Sequence, residues 1–124
     1  MGHTVILKPE TIAMIQVYEW VKQNTNLPFM HIANEGKRSI ANTRILKRMG
    51  MRPGVSDIFI PRACRGYHGL WIELKVGSNE PTAQQIDFLE QMISEGYLAK
   101  VIYEAEPCIE YIANFYSIEH LGLH

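Results

Sequence analysis

The sequence predicts an α/β fold, and three observations lead there. Segments with a helical apolar period alternate with short apolar runs of strand length. The helical segments carry their own punctuation: Pro9 heads the first, Ser39 and Gly50 bracket the second, and Pro81-Thr82 and Gly96 bracket the third. No repeat, low-complexity tract or internal linker interrupts the 124 residues, so a single domain is expected over 1–124. The order reads αβαββαβα.

Taken along the chain, the first helix is expected from Pro9 to about Asn24, with Ile12, Ile15, Tyr18 or Glu19, and Val21 or Lys22 on its inner side. Residues 29–32 read as a strand. The second helix, 39–49, turns Ile40, Ile45, Leu46 and Met49 inward and leaves Arg44, Lys47 and Arg48 for solvent or nucleic acid. The turn-forming run Pro-Gly-Val-Ser at 53–56 leads into a strand at 57–60. A further strand follows at 69–75. Between them the glycines around Tyr67-His68 suggest a mobile loop, where Tyr67 would meet nucleic acid or a partner subunit. A third helix runs from Pro81-Thr82 to Glu95 with Ile86, Leu89 and Ile93 as its buried face. A strand at 100–103 and a helix at 107–116 complete the chain.

A hydrophobic content of 47% suffices for a core, and no apolar run reaches membrane-spanning length. The start Met-Gly-His-Thr has no signal-peptide pattern, so a cytoplasmic protein is expected, in the host cytosol if the origin is viral. Cys64 and Cys108 lack metal-ligand spacing and read as free thiols of a reducing compartment, with a bridge left open. His3, His68, His120 and His124 are scattered, which argues against zinc. His31, near Asn34, either contacts substrate or is simply hydrogen-bonded in place. Trp20, Trp71, Tyr97 and Tyr103 read as core or interface residues.

The net charge of −1 hides a strong polarity. Of twelve basic residues, eight (Lys37, Arg38, Arg44, Lys47, Arg48, Arg52, Arg62 and Arg65) fall between 37 and 65, with Asp57 the only acid among them. Beyond Lys75 there are eight acids and one base, Lys100. Only the basic stretch can attract phosphates, and Asn34, Lys37, Arg38, Arg44, Lys47, Arg48 and Arg52 are its expected DNA contacts.

That stretch contains an acid placed for chemistry. Asp57 lies near the start of its strand, and on the next strand, Trp-Ile-Glu-Leu-Lys at 71–75, Glu73 and Lys75 share a face because side chains alternate. A divalent cation fits between Asp57 and Glu73, since a hard ion such as magnesium takes one or two carboxylates and keeps several waters. Lys75 would orient a water or stabilise an oxyanion. The plainer alternative makes Asp57 a turn cap and Glu73–Lys75 an ion pair on a solvated strand, worth little.

Four stretches together bear on that choice: 31–38 (His-Ile-Ala-Asn-Glu-Gly-Lys-Arg), 49–57 (Met-Gly-Met-Arg-Pro-Gly-Val-Ser-Asp), 66–75 (Gly-Tyr-His-Gly-Leu-Trp-Ile-Glu-Leu-Lys) and 81–85 (Pro-Thr-Ala-Gln-Gln). Their arrangement resembles the PD-(D/E)XK nucleases, and more specifically the VRR-NUC family of virus-type replication-repair nucleases, over roughly Glu10 to Tyr116. The resemblance implies a mixed sheet flanked by helices and a Mg2+- or Mn2+-dependent endonuclease. In-line attack of an activated water on branched DNA, such as junctions or flaps, would leave 5′-phosphate and 3′-hydroxyl ends. It implies Asp57, Glu73 and the carbonyl of Leu74 as metal ligands, Lys75 as catalytic lysine and Gln84 as the family's glutamine near the site. Glu10 would complete the set from the first helix, with Glu19 as competitor. Met14 stands where relatives often carry glutamine, and Glu35 puts a carboxylate inside the Asn-X-Gly turn. Stand-alone relatives of this size often act as homodimers. Phe115, Tyr116, Ile118, Leu121 and Leu123, or the 61–68 loop, would supply an interface, unless those residues fold back on their own subunit. A non-catalytic DNA-binding module and a protein-interaction module are the competing functions.

Overall fold

A four-stranded sheet stands at the centre of the computed structural model, which describes residues 5–33 and 40–119. The elements are α1 (Pro9–Asn24), β1 (Met30–His31), α2 (Ile40–Arg48), β2 (Ile58–Ile60), β3 (Leu70–Lys75), α3 (Ala83–Ser94), β4 (Leu98–Tyr103) and α4 (Ala105–Phe115). The αβαββαβα order is borne out. Strand order in the sheet is the order in the chain; β1, β2 and β3 pair antiparallel, and β4 lies parallel to β3 after the crossover through α3. This is the mixed sheet flanked by helices that the resemblance implied. Expectations on Asn34, Glu35, Lys37, Arg38, Ser39, His3, His120, Leu121, Leu123 and His124, and on the side chain of Ile40, fall outside the described residues. No helix among the described residues is long and apolar enough to cross a membrane.

The alternation in β2 and β3 sends Ile58, Ile60, Leu70, Ile72 and Leu74 to one face, all buried against α1 and α4. From α1 the sheet receives Ala13, Val17 and Val21, spaced by four, and from α4 Cys108, Ile109, Ile112 and Phe115. Val21 is buried as expected, but the rest of the expected inner face of α1 is corrected: Ile12, Ile15 and Tyr18 are 43%, 41% and 44% exposed. The physical reason is the size of the packing stripe. Alanine and valine let α1 lie close to β3 and α4, and the larger side chains are left on the outside.

On the other face, α3 packs through Phe88 and Leu89, while Ile86 and Ile93, expected inside, are exposed. Phe88 meets Trp71 edge-on at 4.8 Å, and Trp71 stacks on Phe59 at 4.1 Å. That aromatic contact sets the rotation of the helix and brings Gln85, one turn earlier, onto the sheet side. In α2 the expected inward placement is also corrected: Ile45 and Met49 are exposed and Leu46 half-buried, because α2 makes little packing contact with the other elements.

Phe115 is buried, and the Tyr116 hydroxyl lies 3.0 Å from the carbonyl oxygen of Arg62 and 3.3 Å from that of Ile60. These residues fold back on their own subunit. Where a mobile loop was expected, Cys64 and Tyr67 exchange backbone hydrogen bonds of 3.1 and 2.9 Å across a two-residue turn, Arg65-Gly66, in which both φ angles are positive. The Arg65 guanidinium donates to the Phe115 carbonyl at 2.8 Å and so fastens the turn to the end of α4. Both cysteines are free thiols.

Candidate active site

The register Ile58↔Ile72 places Asp57, just ahead of β2, beside residues 73 and 74 of β3. The Asp57 carboxylate accepts a hydrogen bond from the backbone N–H of Leu74 at 2.9 Å. Its position is set from behind by Gly54, at φ 86°, where a Cβ would stand 2.6 Å from the backbone of Gln84. Only glycine lets this turn rest on the first turn of α3. The segment that delivers Asp57 and the helix that delivers Gln85 are thereby locked together.

Gln85 is held by a capping box. Thr82 Oγ1 accepts from the Gln85 backbone N–H at 3.2 Å, and Gln85 Oε1 accepts from the Thr82 N–H at 2.8 Å. With its oxygen committed, the amide presents its NH2 outward, and Nε2 donates to Glu73 Oε2 at 3.1 Å. Lys75 Nζ stands 3.5 Å from the same oxygen. The other oxygen, Oε1, is buried with no hydrogen-bond partner among the described residues. Glu73 as a whole is 2% exposed. Burial, and then the negative charge of Asp57, push its pKa up to about 8, with Lys75 pulling the other way.

An orphaned carboxylate oxygen beside a second carboxylate is a site short of positive charge. A divalent cation corrects both defects, because it ligates the free oxygen and favours the ionised form of each acid. Among the described residues no group of three or more His, Cys, Asp and Glu side chains forms a metal cluster. Two carboxylates, Asp57 and Glu73, are nonetheless side by side, and with the Leu74 carbonyl they are the residues that could hold an ion. That set suits a hard ion which keeps part of its hydration shell.

Glu10 lines a cavity of about 260 Å³ together with Thr11, Met14, Ile15, His31, Ala33, Asp57 and Leu74. Glu19 is not among the lining residues. The two glutamates are nine positions apart on the helix, two and a half turns, so they point to opposite sides of α1 and only one can address the site. His31 Nδ1 lies 3.0 Å from the Asp57 carbonyl oxygen, which ties β1 to the same corner.

The structure thus brings together Asp57, Glu73, Lys75 and Leu74, with Glu10 at the rim. The side chain of Gln84 is exposed, and the glutamine that reaches Glu73 is its neighbour Gln85. The signal for Gln85 was present in the sequence: Thr82-x-x-Gln85 is a capping-box pattern, which fixes the helix start and hence the face. Arg44, Lys47 and Arg48 are exposed on α2. Arg52 is engaged within the fold, hydrogen-bonded to the Gln91 side chain and 5.3 Å above the Phe88 ring. Arg62 donates to Asn26 Oδ1 at 2.7 Å.

No family model matches the chain, and no curated protein is similar enough to match it. Among solved structures, one described as a "VRR_NUC domain protein" superposes with a TM-score of 0.78 at 26% sequence identity, over 92% of this chain and 93% of its own. The likeness bears out the resemblance to the VRR-NUC family read from the sequence.

Proposed function

We propose, from the premise that this chain has the fold of the VRR-NUC nuclease family, that it is a Mg2+- or Mn2+-dependent DNA endonuclease acting on branched or otherwise structured DNA. One observation carries the reading: Glu73 is buried beside Asp57 with one oxygen held by Gln85 and Lys75 and the other left without a partner. A bound divalent ion supplies charge neutralisation on the phosphate and a more acidic water. Asp57, Glu73 and the Leu74 carbonyl would hold that ion. Lys75, already anchored on Glu73, is the cation available to orient the attacking water or to stabilise developing negative charge in an in-line displacement leaving 5′-phosphate and 3′-hydroxyl ends. Gln85 fixes the plane of the Glu73 carboxylate, and Glu10 offers a further acid at the rim of the cavity. Arg44, Lys47 and Arg48 would grip the backbone away from the cut, together with Asn34, Lys37 and Arg38. A homodimer belongs to the same proposal, because two identical sites related by a two-fold axis address the two strands of a branch point.

The complete trio of Asp, Glu and Lys places this reading above that of a DNA-binding module without catalysis, which would need none of it. The test is cleavage of duplex, flap, single-stranded and four-way-junction DNA with magnesium, manganese or a chelator. Asp57→Ala, Glu73→Ala and Lys75→Ala should each slow the metal-dependent reaction by about a hundredfold or more while circular dichroism stays native. Folded variants that cleave at the wild-type rate would overturn the assignment. Light scattering over a dilution series of the same preparations reads the dimer.

A further inference from the structure

We infer that the exposed apolar side of α1, with Phe29 and His31, forms a shelf for an unpaired nucleobase next to the scissile phosphate. This inference rests on the nuclease reading above and narrows its substrate class to strands that carry an unpaired nucleotide at the point of cleavage.

The acid-lined cavity does not end at the acids. It shares Met14, Ile15 and His31 with a second hollow of about 310 Å³, whose other walls are Tyr18 and Phe29. Tyr18 and Phe29 stand 5.6 Å apart with their rings tilted by 52°, and Ile15 and Tyr18 are 41% and 44% exposed. Met14 and Phe29 lean on the core with one side, while Ile15 and Tyr18 lie off the Ala13, Val17 and Val21 stripe through which α1 packs, and stay open. The result is one trough with two chemistries: carboxylates and a backbone carbonyl at one end, an aromatic and thioether surface at the other.

Continuity with the acid end decides the occupant. A phosphodiester seated at Asp57 and Leu74 has its own nucleotide as nearest neighbour. In a duplex that base is held inside the stack and shows the protein only sugar and phosphate. An aromatic surface beside the phosphate is filled only when the base is unpaired or turned out, and every base has a π-face to offer it. The shelf is mostly ring, aliphatic and thioether surface, with the Tyr18 hydroxyl and His31 as its polar groups, so stacking outweighs edge reading and an unpaired base of any sequence fits it.

The experiment uses the intact protein with calcium in place of magnesium, and oligonucleotides carrying 2-aminopurine in turn at each position flanking the cut, either in a flap or in continuous duplex. Wild type should bind the flap more tightly than the duplex and quench 2-aminopurine at one flanking position. Tyr18→Ala should lose roughly ten- to hundredfold in flap affinity and lose the quenching, and an abasic nucleotide at that position should reproduce the loss with wild-type protein. Tyr18→Trp should retain both. Ile15→Asn, on the same exposed face, serves as a second variant should Tyr18→Ala misfold. If metal-dependent cleavage persists while flap preference and quenching are unchanged in both variants, the shelf is refuted and the nuclease reading stands. If Tyr18→Ala instead converts a dimer to a monomer, a second copy of the chain covers this face and the inference is overturned. Absence of any DNA binding in low salt would overturn the inference and the nuclease reading together.

Discussion

Glu73 makes the stability of the protein depend on pH in an unusual direction. Its pKa is about 8 in the fold against 4.5 as the ordinary value, chiefly because burial opposes its charge. Between those values the folded chain keeps a proton that the unfolded chain has released, so this group's contribution to stability falls as pH rises through that window and is flat beyond it. Without metal, the protein should therefore lose stability from pH 5 to pH 8, by a few kcal/mol at most on the scale of roughly 1.4 kcal/mol per pKa unit. Glu73→Gln should flatten the slope, and magnesium should stabilise wild type most at the alkaline end, where the acids it binds are ionised. Urea denaturation at several pH values, with EDTA or magnesium, measures this. Identical pH profiles for wild type and Glu73→Gln would disprove the account. At the same scale, Asp57, Glu73 and Lys75 were legible in the sequence because a strand has only two faces and a turn marks where it begins. The glutamine that meets Glu73 falls one residue beyond the expected one, at 85 rather than 84, because one step on a helix turns the side chain by about 100° and only the cap fixes the phase.

Elements were legible as segments but not as faces. All eight appear in the expected order, with ends shifted by a few residues, since apolar period, Pro9, Thr82 and Gly96 act locally. Which side of α1 or α3 is buried depends on what it meets. The period alone favours Ile12, Ile15 and Tyr18 along with Val21, yet of these the close seat on β3 and α4 takes only Val21, joined by Ala13 and Val17. In α3 the choice is made by Trp71. For α2 the local reading of the charged side holds: Arg44, Lys47 and Arg48 are exposed. Replacing all three by alanine should weaken DNA binding and flatten its salt dependence by about one unit of slope for each phosphate no longer neutralised, with little change in melting temperature. Affinity measured across a salt series tests this, and an unchanged slope would make α2 a merely solvated helix.

At the scale of the whole molecule, the strands stack in the order in which they are synthesised, but the helices do not follow suit. The helix nearest the start, α1, lies on β3 and on α4, the last helix of the fold. Asp57, Glu73, Lys75 and Gln85 thus sit on or beside elements, β2, β3 and α3, that follow one another in the chain. Glu10 does not, because α1 takes much of its seat on Ile109, Ile112 and Phe115 of α4. A chain ended before Ala105 should keep its sheet-forming segments but leave α1 loosely attached, with rapid proteolysis between α1 and β1 as the readout; a truncated chain that resists protease as the intact one does would contradict this. The corner where the first helix meets the acids is therefore held together by the two helices that lie furthest apart in the chain. On the proposed reading, loosening α4 would let Glu10 drift from that corner while Asp57 and Glu73 keep their places on the sheet.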